Sequence, residues 1–455
     1  MSPGGGLRPV PRVAYERWLD SLVRADWSAT GDRRTGDGRD SERITVGEAL
    51  GRVTAAPVVA RWPSPRTDCA AMDGIAVRAA DLAAAPAVSG ADSQTRDAPA
   101  GGQAIRLPAG LFEWIDTGDP MPAGADSVIL RERLLPQADG SVIITAASGG
   151  AGGGQQTGHA ARGRNVRAAG EDFGAGEILV PPGRRLRPGD LAAVAAGGHV
   201  SVIAARPPVV AIIPTGDEIR PVGTVPRFGD IIDTNSLMLT ARCRQLCAVP
   251  VVSAVVPDDP DALAVELRHA AGRADLVLVI AGSSRGRGDH AAAVLAQVGG
   301  VAVAGVAVRP GHPALLGHAK RPEVSHGHQA EGPADRRTGV APVIGLPGYP
   351  LATAVVFELF AVPMLRALTG QALARVQVRA RLDRDWSSPA DVEDWVLVTL
   401  TADADGGVPV ATPARRGAGS ISQLARADAW WPIPAGQGTF TAGTQVEVLP
   451  IPGTD

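Results

Sequence analysis

The sequence predicts a multidomain α/β plus β chain, with a doubly wound, mostly parallel α/β domain, a β-rich inserted domain and a C-terminal β domain. Three patterns predict it. From about residue 206, the compact apolar runs VVAIIP, DLVLVIAG and PVIGLPG each end in a polar or Gly-rich turn and then a helix-like stretch. That alternation builds a parallel sheet covered on both faces. From 61 to about 163, short apolar runs such as SVIITA sit between Gly, Pro and Asp, as in an all-β module. Beyond about 371, RVQVRARL, DWVLVTLT, VPVATP and TQVEVLPI return to strand-length runs.

Taken in order, 9–26 reads as a short amphipathic helix, 27–42 as a polar loop, and 43–60 as a turn, a helix and a strand. The tract 148–163 reads as a flexible hairpin or loop insert, and 319–340 as an exposed, disordered insert. The expected division is a linking domain (43–67 and 164–205), the β-rich insert (68–163), the α/β domain (9–26 with 206–370) and the C-terminal β domain (371–455).

Composition narrows the class. Apolar residues make up 45% of the chain but aromatics only 4%, so the cores must be built mainly from Val, Leu, Ile and Ala. A formal net charge of -3 argues against a nucleic-acid partner. Lys320 is the only lysine, so an arginine where a lysine is expected carries little meaning. Cys69, Cys243 and Cys247 are too few for a disulfide framework. Cys243 and Cys247, four apart, read as packing residues. The N-terminus lacks an apolar signal core, and no run approaches the roughly 18 apolar residues that cross a bilayer. A soluble, cytoplasmic protein without a membrane partner is expected.

Four loops follow apolar strands in the α/β part, where such sheets bind ligands. In PTGDEI, Thr215 and Gly216 precede two acids, Asp217 and Glu218, which suit a divalent cation or form a polar turn. In AGSSRGRGDH, Gly282, Ser283, Ser284 and Gly286 allow close backbone approach to an anion, with a helix starting near Asp289. VRPGHP puts Arg309 and His312 around a tight turn, either holding a small oxyanion or solvated. IGLPGYP offers Pro347, Gly348 and Tyr349 ahead of a helix. In the β-rich part, PRTDCAAMDGIAVR carries Asp68 and Asp73 in a small-residue loop.

Together these segments resemble the molybdopterin molybdenumtransferase (MoeA) family. PRTDCAAMDGIAVR, IDTGDPMPAGADSVI, NVRAAGEDFGAGEILV, IIPTGDEI, DTNSLML, AGSSRGRGD, RPGHP, GLPGYP and ARRGAGSISQLARADAWWPIP run in order across nearly the whole chain. The resemblance implies a homodimer whose active site lies between the α/β domain of one subunit and the β-rich domains of the other. It implies that adenylylated molybdopterin and molybdate give molybdenum cofactor and AMP, with Mg²⁺ or another divalent cation. Other cofactor-biosynthesis proteins are implied as partners. Carried over by motif, the site comprises Asp73, Thr117, Asp172, Glu218, Asp275, Ser284 and Asp289, with Glu218 and Asp289 toward the metal. Thr215, Gly216, Gly282, Ser283, Gly286, Arg309, His312, Pro347 and Gly348 join as binding positions.

The chain also departs from the family's pattern. Arg309 and His312 stand where lysines are usual, GLPGYP replaces GLPGNP, and AGSSRGRG replaces GGVSVG. Arg keeps the charge as a planar fork, whereas His312 keeps it only when protonated. An active insertase is the favoured reading, because the acids and the phosphate loops persist. A pterin-binding carrier or regulator is the alternative, and an adenylyltransferase is a third possibility that the full set of acids opposes.

Overall fold

Parallel pairing around Val209–Pro214 organises the larger half of the chain. In the computed structural model, which describes residues 8–27, 40–88, 104–145, 161–281, 288–322, 339–371, 376–404, 406–417 and 420–453, this strand lies between Val249–Val252 and Leu276–Ala281. Val340–Pro347 continues the sheet in parallel, and Leu315–Lys320 and Gly299–Ala304 complete it in antiparallel fashion. These strands are almost wholly apolar and buried, as a sheet covered on both faces requires. Most of the tract 148–163, the 28–39 part of the expected polar loop and 323–338 of the expected insert lie outside the described residues. The ends of that insert are regular, with Ala319 and Lys320 opposite Ala341 and Val340.

The helix Pro11–Arg24 has Pro at its first turn and turns Ala14, Trp18 and Leu22 inward, all fully buried. Their spacing of four places them on one stripe. That stripe packs into the core of the sheet beside Val210, Ile212 and Leu278, and Trp18 donates its indole N–H to the Gly317 carbonyl at 2.7 Å.

Pro350–Thr369 is one apolar helix of 20 residues, long and apolar enough by composition to cross a membrane. This corrects the expectation that no stretch approaches that length. Two-thirds of it is buried inside the protein, and Val355, Phe357, Phe360 and Leu365 lie within the same core as the sheet.

Toward the C-terminus, Val378–Leu382, Glu393–Thr401, Val410–Pro413, Ala429–Ile433 and Gln445–Pro450 form a sheet closed by the pairing of Glu393–Thr401 with Ala429–Ile433. Closure removes the exposed edges that invite aggregation. A two-residue strand, Val308–Arg309, joins this sheet in parallel from the α/β part. Trp395 and Trp430 then share the core of the α/β sheet.

The N-terminal half is built of small antiparallel pairings. Ser41–Thr45 pairs with Ser201–Ala205, so the expected turn at 43 is a strand, and the expected helix is a single 3-10 turn at Val46–Glu48. The alternating β-branched side chains of Ile44 and Thr45 favour the strand. In the β-rich part, Gly74–Val77 lies between Phe112–Ile115 and Ser127–Leu130. Gly74 is required there, since a Cβ would stand 1.8 Å from the Ile129 carbonyl oxygen.

Replacing Trp18 by Ala removes a fully buried indole and its hydrogen bond. The expected loss is about 3–5 kcal/mol of unfolding free energy. A urea-denaturation midpoint equal to that of the unaltered protein would refute the anchoring role of this helix.

Candidate functional site

The chain leaves Val209–Pro214 for Val249–Val252 on one side and returns as Leu276–Ala281 on the other, so a switch point lies beside the end of Val209–Pro214. There Thr215 spends its N–H and its hydroxyl on the Ile280 carbonyl, at 3.1 and 2.9 Å, which welds the two strand ends. Gly216 adopts φ +135°, and a Cβ on it would meet the Glu218 carboxylate at 2.9 Å. Glycine thus lets Glu218 fold over the turn. Asp217 is committed, because it and Asp258 each accept the other's backbone N–H, at 3.2 and 3.4 Å. A small cleft of about 80 Å³ opens here, lined by Thr215, Glu218, Asp258, Asp259 and His290.

A helix begins at Gly288. Gly282, Ser283, Ser284 and Gly286 lie outside the described residues, as does the side chain of Asp289. Asp275 stands apart from these loops. It sits at the opposite, N-terminal end of Leu276–Ala281, where its carboxylate accepts the Val209 N–H at 2.7 Å. It aligns the starts of two strands and does not reach the mouth with Glu218.

A larger cleft of about 950 Å³ lies between the α/β sheet and the closed C-terminal sheet. Arg309, His312, Pro347 and Tyr349 line it from the α/β part, and Trp386, Asp394, Trp395, Arg415 and Arg416 from the C-terminal part. The parallel pairing sets Arg309 directly beside Asp394 in register. Asp394 is only 2% exposed. Its Oδ2 accepts from Ser388 Oγ at 2.9 Å and from Arg416 Nη1 at 3.1 Å. Arg416 also stacks over the Trp386 ring at 4.7 Å and donates to the Ser387 carbonyl. Arg309 and Arg415 are exposed at the cleft and have no hydrogen-bond or ion-pair partner among the described residues.

His312 changes the expected charge of the RPGHP turn. Burial, and then the positive charge of Arg8, push its pKa below the ordinary 6.5. Arg8 is brought near by the Ala307 N–H bond to the Pro9 carbonyl, 2.8 Å. The imidazole is therefore neutral at pH 7, so of the two candidate cations of this turn only Arg309 carries charge. The cleft's other unpaired guanidinium, Arg415, comes from the C-terminal domain. The RR pair just after a strand was its only sequence signal.

Pro347 and Gly348 form a pinned turn. Asn235, from the DTNSLML segment, donates Nδ2 to the Gly348 carbonyl at 2.7 Å. The Thr353 hydroxyl contacts the Pro347 carbonyl and lies 3.1 Å from the Tyr349 carbonyl.

In the β-rich part, Asp73 and Thr117 come together. Asp73 Oδ1 accepts the Thr117 hydroxyl at 2.6 Å and its N–H at 2.8 Å. These bonds, with the Arg131 charge, hold the Asp73 carboxyl below the usual range, so it is ionised at neutral pH. Asp172 is exposed, its backbone N–H bonded to the Ser64 carbonyl at 3.0 Å. Among the described residues, no hydrogen bond or ion pair links Asp73, Thr117 or Asp172 to the α/β loops. Elsewhere, burial pushes the Cys243 thiol up to about 12, and Cys247 Sγ is 2.6 Å from the Gly51 carbonyl.

Three family models match in succession: "MoeA N-terminal region (domain I and II)" over 14–198, "Probable molybdopterin binding domain" over 211–367, and "MoeA C-terminal region (domain IV)" over 379–451. A molybdopterin molybdenumtransferase of Nostoc sp. is 30% identical over 421 residues, covering 91% of this chain and 89% of the relative. The protein of that name from Bacillus subtilis is 28% identical over 420 residues, 90% of each. The crystal structure of the molybdopterin biosynthesis MoeA protein from Pyrococcus horikosii superposes with a TM-score of 0.72 at 26% identity, over 98% of this chain and 99% of that one.

Because the folded state holds His312 below 6.5, the unfolded chain takes up this proton at a higher pH than the native one. His312 thus draws stability away as the pH falls through 6.5. NMR titration should find its midpoint below 6.5, and Arg8→Ala should raise it. A midpoint at or above 6.5 in the unaltered protein would restore His312 as a cation.

Proposed function

The chain belongs to the molybdopterin molybdenumtransferase (MoeA) family, and from that premise we propose that it is a molybdenum insertase acting on adenylylated molybdopterin and molybdate. The products are molybdenum cofactor and AMP. The observation that carries this reading is a single cleft with unpaired guanidiniums from two domains, Arg309 and Arg415, on its walls. Molybdate and phosphate are tetrahedral oxyanions, and a guanidinium fork meets two of their oxygens at once. The cleft volume of about 950 Å³ suits a pterin carrying a nucleotide.

In this reading Arg309 and Arg415, one from each domain, hold oxyanion together. Neutral His312 donates or accepts a hydrogen bond there without adding charge. The turn at Pro347 and Gly348, pinned by Asn235 and Thr353, keeps the wall rigid. Thr215 and Gly216 shape the neighbouring loop, and Gly282, Ser283, Ser284 and Gly286 serve as its phosphate cradle. Glu218 and Asp289 are the carboxylates assigned to a divalent cation such as Mg²⁺. Hard oxygen donors suit that ion, which needs only one or two protein carboxylates beside substrate phosphate. Among the described residues no three acids or histidines group closely enough to hold an ion by themselves, so Glu218 would act together with substrate phosphate. When bound, the cation neutralises phosphate charge.

Asp73, Thr117 and Asp172 belong to the site of the partner subunit. An ionised Asp73 and an exposed Asp172, apart from the α/β loops of their own chain, support a homodimer with composite sites. A cytoplasmic location, and contact with other enzymes of the same biosynthesis, belong to the same reading. The carrier alternative draws on the loss of a cation at His312.

Purified protein given adenylylated molybdopterin and Mg²⁺ should release AMP only when molybdate is added. Binding without release would favour the carrier. Arg309→Ala and Arg415→Ala should each raise the molybdate KM about ten- to hundredfold, as loss of a charged hydrogen bond of about 1.5–3 kcal/mol implies. For the dimer, Asp73→Ala and Glu218→Ala should each abolish turnover alone, and a refolded mixture should regain part of it. A mixture as inactive as its components would argue against composite sites.

A further inference from the structure

Asp394 is unusual within its cleft. Every other charged side chain lining the cleft is an arginine, yet this carboxylate is 2% exposed and only half used. A carboxylate accepts through about four lone-pair positions and donates nothing when ionised. Ser388 and Arg416 both bond to Oδ2, and Oδ1 has no partner among the described residues. Gln423 lines the same cleft with its side-chain carbonyl oxygen buried and without a donor. Two acceptors in one cleft call for a ligand that brings N–H groups.

We infer that Asp394, assisted by Gln423, reads the amino edge of the pterin ring and so orients the substrate in the cleft. This rests on the insertase reading above. Phosphate and molybdate carry no N–H groups, and a carboxylate repels them. Of the two ring systems in adenylylated molybdopterin, adenine sets its amino group beside a ring-nitrogen lone pair, which also faces a carboxylate unfavourably. The 2-amino-4-oxo edge of the pterin sets the 2-amino group beside the N3–H, two adjacent donors. Tyr349, exposed at the cleft, offers a ring face to stack on. Arg309, register partner of Asp394, stands next to this edge with its guanidinium unpaired, so anion recognition and ring recognition are neighbours. Arg416 neutralises the buried carboxylate.

The test compares the affinity of the full-length protein for 6-hydroxymethylpterin and for its 2-oxo counterpart, 6-hydroxymethyllumazine, by fluorescence titration. Molybdate-dependent AMP release is measured alongside. The unaltered protein should prefer the 2-amino ring by about tenfold or more, the scale of one hydrogen bond to a charged group. Asp394→Asn should lose that preference, and Gln423→Leu should lessen it. Arg416→Gln breaks the ion pair but keeps the carboxylate, so it should keep the preference even if overall affinity moves. Equal affinity in the unaltered protein would overturn the inference. So would a preference that survives Asp394→Asn, or one lost equally in Arg416→Gln, which would mark the ion pair as merely structural. If AMP release is intact in those cases, the insertase reading stands without this inference. No pterin binding together with no AMP release would overturn both. Should Asp394→Asn fail to fold, the comparison of the two rings on the unaltered protein and on Arg416→Gln still decides.

Discussion

The candidate site depends on a strand only two residues long. Val308–Arg309 leaves the α/β part and pairs in parallel with Glu393 and Asp394 of the C-terminal sheet. By itself such a strand is negligible. Its strength comes from what it brings together, since Trp395 and Trp430 then sink into the core that holds Val308, Leu346 and Phe360. One continuous apolar core across two sheets resists the sliding expected of an ordinary, polar interdomain contact. The cleft wall is therefore rigid where Arg309 stands.

That rigidity has an electrostatic consequence. Arg309 and Asp394 are register partners, and a simple ion pair between them would take Arg309 out of anion binding. Arg416 takes Asp394 instead, supported by Ser388 and by stacking on Trp386. Burying a carboxylate is costly unless it is paired and hydrogen-bonded. The Arg416 contact meets that requirement from within the C-terminal domain. Arg309 is left unpaired, so binding an anion does not first require breaking an internal bond.

Much of this architecture was legible in the sequence. The runs VVAIIP, DLVLVI and PVIGLP have the length and the continuous apolarity of doubly covered strands, and the helix expected near Asp289 begins at Gly288. Loops such as PTGDEI follow from strand ends. What was hidden depends on contacts distant in sequence. No periodicity marks Val308–Arg309 as a strand, because its partner lies more than 80 residues on. Asp275 enters the site only through its motif, and the structure puts it at the start of its strand. Only the direction of the sheet separates the mouth from the base. The sequence leaves the charge of His312 open, because neither its burial nor the approach of Arg8 is local.

The change of a lysine-type turn to RPGHP then has a physical account. Two cations close together in one turn repel each other, and burial penalises both. In this chain burial and Arg8 make the second position neutral, so the repulsion within the turn disappears. A second unpaired guanidinium, Arg415, lines the same cleft from a separate domain. An oxyanion in the cleft is attracted by both Arg309 and Arg415. The cleft's two unpaired guanidiniums thus come from two domains, and their joint placement depends on the strand Val308–Arg309 that ties those domains together.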